Sequence, residues 1–227
     1  MSYGINIKNL DNYTQIDEKY ASFVVAYQLS ITSTYVSNNN VLVIPDDKLF
    51  YDGSMYAIRK ISDSNNSINF PLNGSRYPLN VFNGYIIVPL SGTYEVVILR
   101  DISKVTTPTN ISNQGLEVYS NNGNKNFSSN YPMFRITHIF SVPLDGNSPS
   151  NGTWTFNYSQ MPFDKPLYYM CDDPDGFKKT SGVYWYYWPT GIITSSTQTQ
   201  LSLQRISVSD PSPGNSVLFR TRLGIIV

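Results

Sequence analysis

The chain has 227 residues, of which 14% are charged and 14% aromatic, and its 16 basic and 16 acidic side chains leave no net charge. This balance provides no basic patch for nucleic acid or an anionic membrane surface, and no apolar run approaches the roughly 20 residues that span a bilayer. The single cysteine, Cys171, excludes an intramolecular disulfide. Residues 1–6 lack the charged-then-apolar order of a signal peptide, so we expect synthesis in a cytosol.

Short apolar or alternating runs follow one another along the chain and predict β-strands. They lie at residues 23–27, 41–44, 85–88, 93–99, 134–140, 154–158 and 217–223. Frequent turn pairs separate them, among them Asn83-Gly84, Asn122-Gly123 and Asn151-Gly152, because Asn and Gly tolerate positive φ. No amphipathic helix of ten or more residues is indicated, and residues 46–60 have room for one short helical turn at most. The pattern predicts an all-β protein.

An internal repeat relates the two halves of the chain when Gly4 is aligned with Gly115 and the two stretches run on without a gap. In this repeat alignment apolar positions coincide while the intervening polar residues differ, as expected for two copies that share a core but not a surface. The further matched pairs are Ile16 with Phe127, Tyr20 with Tyr131, Phe23 with Phe134 and Val25 with Ile136. The repeat predicts two tandem, similar antiparallel β-sandwich domains of jelly-roll type, at residues 1–105 and 115–227, with a linker at 106–114.

His138 is the only histidine, so any Ser-His-Asp site would have to use it. Strand parity places it on one face with Phe134, Ile136 and Phe140, where a hydrogen-bonded core residue is the favoured interpretation. Cys171 has no base predicted nearby and is interpreted as a packed or loop cysteine.

The sequence Asp172-Asp173-Pro174-Asp175-Gly176 does not match a calcium-binding loop, and it is interpreted as a solvated turn. No phosphate-binding loop, zinc ligand set or pair of catalytic carboxylates is recognisable. We therefore expect no catalytic residue, no metal site and no cofactor, and a protein that is not an enzyme.

The strongest local feature is a run of five aromatic residues: Tyr184, Trp185, Tyr186, Tyr187 and Trp188. As a strand it would carry large aromatic rings on both faces. Such a strand suits a core or subunit interface, and it also suits a platform that stacks against sugar rings, because Tyr and Trp combine apolar area with a polar tip. The five residues are a candidate interface or glycan contact, with the interface favoured.

The repeated opening carries a family resemblance. Its residues are Ser2-Tyr3-Gly4-Ile5-Asn6-Ile7-Lys8-Asn9 in the first half and Gly115-Leu116-Glu117-Val118-Tyr119-Ser120-Asn121-Asn122-Gly123, then Tyr131-Pro132-Met133-Phe134-Arg135-Ile136, in the second. They resemble the opening of small bacteriophage tail proteins, where a Tyr-Gly-(Ile/Leu)-x-(Ile/Val)-x-Asn strand is followed by a turn, an apolar residue and an aromatic strand. The second copy departs from this pattern, because Gln114 replaces the tyrosine before its glycine.

The resemblance covers the first quarter of each half and implies a structural role. It implies a non-enzymatic component of a phage virion, in the tail or tail tip, made in the bacterial host cytoplasm. The expected partners are other copies of the chain and other virion proteins, with no nucleic acid and no membrane insertion. A carbohydrate-binding or host-receptor-binding tail module and a capsid decoration protein are the alternatives.

Overall fold

The computed structural model describes residues 6–8, 14–17, 23–49, 54–71, 81–82, 84–105, 116–120, 122–144, 148–149, 151–158, 165–171, 178–180, 183–185, 187–205 and 217–227. Within these residues the regular structure is β-strand, apart from 3₁₀ turns at Asp46–Lys48 and Ile102–Lys104. The all-β prediction is confirmed, and the expected helical turn is the one at Asp46–Lys48. No helix in these ranges is long and apolar enough to cross a membrane.

The strands of the described residues are numbered in chain order, ten from each half. The first ten are β1 (Asn6–Lys8), β2 (Thr14–Asp17), β3 (Phe23–Thr32), β4 (Thr34–Val36), β5 (Asn39–Val43), β6 (Met55–Lys60), β7 (Ile68–Phe70), β8 (Val81–Phe82), β9 (Tyr85–Val88) and β10 (Thr93–Asp101). The second ten are β11 (Glu117–Tyr119), β12 (Lys125–Ser128), β13 (Phe134–Leu144), β14 (Asn151–Asn157), β15 (Leu167–Cys171), β16 (Lys178–Thr180), β17 (Val183–Trp185), β18 (Tyr187–Thr194), β19 (Gln198–Arg205) and β20 (Val217–Ile226).

One antiparallel sheet of six strands, the large sheet, runs through both halves of the chain in the order β13-β20-β15-β6-β10-β3. Three of its strands come from the first half and three from the second, and β6 pairs with β15 where the halves meet. The halves are therefore joined by continuous strand pairing, and the arrangement as two tandem sandwich domains is not confirmed. The predicted linker at residues 106–114 lies outside the described residues.

A pseudo-two-fold relation centres on the β6–β15 pair. Ala57 lies opposite Met170, and the flanking pairs are Tyr56 with Cys171 and Ile58 with Tyr169. Tyr56 and Tyr169 also hold equivalent places towards the next strand, since Tyr56 lies opposite Ile98 of β10 and Tyr169 opposite Leu223 of β20. From its outer edge inwards, the first half contributes β3, β10 and β6, and the second half contributes the equivalent strands β13, β20 and β15. The two halves are therefore related like the subunits of an isologous dimer, but within one chain.

The repeat alignment of the sequence recurs in the strand pairing. Hairpin β1–β2 pairs Asn6 with Asp17 and breaks register after Ile7. Hairpin β11–β12 pairs Glu117 with Ser128 and breaks register after Val118, at the positions that the repeat alignment makes equivalent. The following strands, β3 and β13, also start at aligned positions, and each carries a β-bulge at the same place, Ala26 in β3 and Thr137 in β13.

Two four-stranded sheets pack against one face of the large sheet. The first small sheet has the order β4-β5-β9-β8, and the second small sheet has the order β14-β19-β18-β7, so β7 of the first half completes the sheet of the second. Between these layers lies the main core, which includes Phe70, Tyr94 and Tyr169, with the Phe70 ring in contact with both tyrosine rings. This core draws on both halves, because the strands that build it do.

The opposite face of the large sheet encloses a smaller apolar cluster. Its members come from strands of both halves and are Val25, Met55, Ala57, Val97, Leu99, Phe134, Tyr168, Met170 and Ile226. The two edge strands meet near their first residues, where Val25 N donates to Pro132 O at 2.8 Å and Val24 forms a bridge with Met133. Because its edges meet, the large sheet is curled, and this cluster lies on its concave side.

Candidate functional site: the second small sheet and its aromatic row

Four aromatic side chains form a continuous row where the edge strand β13 faces the edge strand β14. The Phe156 and Phe140 ring centroids are 4.9 Å apart, those of Phe140 and His138 are 5.9 Å apart and nearly parallel (11°), and those of His138 and Tyr158 are 5.1 Å apart. Phe140 is buried, whereas the other three rings are half-buried. Alternation along β14 places Phe156 and Tyr158 on this side, as the sequence predicts.

The predicted environment of His138 is wrong in one respect. Phe134 packs into the concave cluster and Phe140 into the main core, so they lie on opposite faces of β13. The β-bulge at Thr137 inserts one residue and shifts the alternation that follows, so His138 shares a face with Phe140 but not with Phe134 or Ile136. Ile136 is left exposed on the other side.

His138 is positioned as a packed residue. Its Nδ1 lies 3.2 Å from Thr137 Oγ1, and that hydroxyl donates to the Leu223 carbonyl at 3.1 Å. Burial lowers the pKa of His138. Among the described residues no carboxylate contacts the ring, so the orienting partner of a Ser-His-Asp arrangement is not supplied there.

The remaining predicted sites fall partly outside the described residues. Cys171 is buried in β15 opposite Tyr56, as a packed cysteine would be. The acidic turn at residues 172–176 is not described. The described part of the chain contains no group of three or more His, Cys, Asp or Glu side chains that could hold a metal ion.

The aromatic run is described only through its backbone. Tyr184 and Trp185 lie in β17, opposite Lys179 and Lys178 of β16. Tyr187 and Trp188 begin β18, opposite Arg205 and Gln204 of β19. Tyr186 and the side chains of the whole run lie outside the described residues. Their assignment as an interface or glycan contact stays a prediction.

The outward face of β14 and β19, in the second small sheet, is polar and uncharged. Thr153 Oγ1 is 3.0 Å from Ser202 Oγ, and Gln198 Nε2 donates to Asn157 Oδ1 at 3.1 Å. The described side chains on this face of β14 and β19 are Asn151, Thr153, Thr155, Asn157, Gln198, Gln200, Ser202 and Gln204. Hydroxyl and amide groups both donate and accept, so this surface can bind neutral polar groups in either sense.

A strand replaces a turn that the sequence predicts. Asn151-Gly152 is the first pair of β14, and Gly152 lies opposite Leu203 of β19. The indole of Trp154 covers this glycine, since a Cβ placed there would collide with Trp154 Cη2. Close approach of a ring explains this glycine, while Gly84 and Gly123 have φ values of 84° and 78°, as the turn prediction requires.

A polar group occupies the concave side of the large sheet. The Tyr168 hydroxyl donates to Glu95 Oε2 at 2.7 Å, Gln28 donates to the other Glu95 oxygen, and the Arg59 guanidinium lies 5.9 Å from the Tyr168 ring centroid. Burial and the Glu95 carboxylate both raise the pKa of Tyr168. The Tyr168 hydroxyl therefore keeps its proton at neutral pH and donates it to the Glu95 carboxylate.

Comparison with known proteins finds no matching family model, no matching curated protein and no matching solved structure.

Proposed function

We propose that the protein is a non-enzymatic structural component of a bacteriophage virion, in the tail or tail tip, that assembles as a homo-oligomer through β-rich interfaces. The repeated opening supports this most. The segments that resemble phage tail proteins include β1 and β11. These strands form the hairpins β1–β2 and β11–β12, which have the same register at positions that the repeat alignment makes equivalent. A module kept twice as a bulged hairpin fits a structural role better than a catalytic one.

We also propose that each half is a jelly-roll-like sandwich module, fused to its partner along β6 and β15. In this view each half contributes three strands of the large sheet, the first half supplies the whole first small sheet, and the second half supplies three of the four strands of the second small sheet. Uncharged Asn, Ser, Thr and Gln surfaces, together with exposed strand edges, suit repeated contacts between copies.

The test is the mass of the purified protein in solution, by light scattering coupled to size exclusion. A stable species at a whole multiple of 25.7 kDa is expected, and the multiple gives the number of copies. A monodisperse monomer at every concentration would contradict assembly through the chain's own interfaces.

A tail module that binds host glycans is the second candidate, favoured by the uncharged polar face of β14 and β19 in the second small sheet. Neutral sugars are recognised by hydroxyl and amide groups together with aromatic rings, and Trp188 lies at the start of β18, in the same sheet as this face. Titration of neutral and acidic bacterial surface polysaccharides, followed by Trp fluorescence, tests it. A change with the neutral polymers alone would support this candidate, whereas no change at millimolar sugar would count against it.

A further inference from the structure

The outer edge of β14 is open where its counterpart in the first half is covered. β5 and β14 hold the same place in their sheets, because each pairs with the strand that directly precedes the last strand of its half. On its other side β5 pairs with β4, through Thr34 with Val41 and Val36 with Asn39. Within the described residues no strand pairs with the corresponding side of β14. The first half thus shows that this position accepts an antiparallel strand.

The residues of β14 do nothing to discourage such pairing. Edge strands are usually protected by charges, prolines or bulges. The neighbouring edge strand β13 has all three, namely Arg135, Pro143 and the bulge at Thr137. β14 pairs with β19 over its full seven residues without a register shift, and it contains no charged residue and no proline.

The sequence of β14 is also complementary to itself. Read about Trp154, the strand Asn-Gly-Thr-Trp-Thr-Phe-Asn places Thr153 and Thr155 symmetrically, with asparagine at both ends. A two-fold antiparallel pair centred on Trp154 would set Thr153 against Thr155 and Asn151 against Asn157 on the exposed face. On the inward face Trp154 would lie opposite its own copy, and Gly152 would lie opposite Phe156.

We propose that the outer edge of β14 pairs with β14 of a second copy of this chain, antiparallel and centred on Trp154, so that the second small sheet continues across two copies. This rests on the proposed function, because it names one contact of the assembling protein. The pair brings no like charges together, permits cross-strand Thr–Thr hydrogen bonds and covers the half-buried Trp154 and Phe156.

The first experiment introduces charges at the pair. In the double variants T153K/T155K and T153E/T155E, like charges would face each other twice, so each alone should lose the β14 contact and show a lower mass by light scattering. An equimolar mixture of the two should regain the contact, because each lysine then faces a glutamate. The matched control is Q198K/Q200K, which adds the same charge to the same face of the sheet on the interior strand β19, and it should keep the parent mass.

The second experiment fixes the register. In the proposed pair residue 153 of one copy faces residue 155 of the other, whereas two residues 153 lie diagonally, beyond the roughly 7 Å Cα separation that a disulfide tolerates. A mixture of T153C and T155C should therefore form a cross-linked dimer on mild oxidation, while either variant alone should not. Cys171 is buried and serves as the unchanged background.

The outcomes separate this inference from the proposed function. A multimer that survives both charged variants and gives no cross-link would overturn the β14 contact and leave assembly standing through another surface. A parent protein that is monomeric throughout would contradict the proposed function itself. Recovery of the parent mass only in the mixture of oppositely charged variants would establish the contact.

Discussion

The large sheet has two equivalent corners, at the start of the edge strand β3 and at the start of the edge strand β13. The two corners are packed differently. At the first corner Val25 of β3 lies opposite Leu99, which is buried, while Phe23 is 36% exposed. At the second corner Ile136 of β13 lies opposite Gly224, and the ring of Phe134, the repeat partner of Phe23, covers that glycine. The equivalent space is filled by Leu99 of β10 in the first half and by the ring of Phe134 of β13 in the second half. A duplicated backbone therefore keeps its register and bulges while its core residues diverge in compensating pairs.

Substitution at the pseudo-two-fold centre, which relates these two corners, should have the largest effect on stability. Met170 is 1% exposed and lies opposite Ala57, which is fully buried. We expect Met170→Ala to lower the free energy of unfolding by about 2–5 kcal/mol, because it opens a cavity in the concave cluster. Urea denaturation followed by circular dichroism measures this. The exchange variant Ala57→Met with Met170→Ala restores the volume and should recover part of the loss; no recovery would mean that the two positions do not share one space.

The glycine corner gives the next effect. A Cβ at Gly224 would collide with Phe134 Cε1 and would lie 2.7 Å from the Arg135 carbonyl oxygen. Gly224→Leu should cost about 3 kcal/mol, at the upper end for overpacking. Adding Phe134→Ala, which imitates the packing of the first corner, should reduce that cost. A double-mutant cycle from thermal or urea unfolding gives the coupling, and additive effects would contradict the compensation.

His138 makes the aromatic row of the second half sensitive to pH. Burial holds its pKa below the unfolded value of about 6.5, so the unfolded chain binds the proton more readily. The stability from neutral His138 is complete above that value and is lost as pH falls through the lowered native pKa. The urea midpoint of the parent should fall between pH 7.5 and 5.5 by more than that of His138→Gln. Parallel curves would show that His138 does not contribute.

The two opening hairpins offer the smallest effect. Lys125 Nζ lies 2.6 Å from Glu117 Oε1, and the repeat partners of these residues are the uncharged Thr14 and Asn6. Lys125 holds the pKa of Glu117 below its usual value. Glu117→Gln should cost at most about 1 kcal/mol, since the pair is partly exposed to solvent. The difference from the parent should shrink in 1 M salt, and a salt-independent loss would indicate packing rather than charge.

Local periodicity predicted β3, β5, β9, β10, β13, β14 and β20, but it missed β6, β15 and β19, and it could not predict which strands pair. The alternation at residues 154–158 gave the correct face for Phe156, and the repeat alignment reappears in the hairpin registers. The sequence of a strand does not specify its partner, so the pairing of β6 with β15 could not be predicted. The sequence therefore predicts two tandem domains, whereas the structure has one sheet that continues through both halves. The bulge at Thr137 could not be predicted either, because it changes which face the following side chains occupy without a recognisable change in composition.

Two parts of the candidate site show the same limit. Asn151-Gly152 has the composition of a turn, yet the indole of Trp154 makes the glycine necessary inside a strand. The open edge of β14 becomes visible only by comparison with β5 and its partner β4, which is a property of sheet order. Residue patterns predict what a strand buries, and pairing decides which edges are left to bind something else.

The pairing of β6 with β15 also has a consequence for folding during synthesis. β10 is complete at Asp101, but the strand that covers the other side of β6 begins only at Leu167. At about 5–20 residues per second, a ribosome leaves that edge uncovered for several seconds. During that interval two nascent chains on one message could join β6 to β6, in the arrangement that β15 later supplies within a single chain. Slower translation beyond residue 101 should therefore increase misassembly between neighbouring chains.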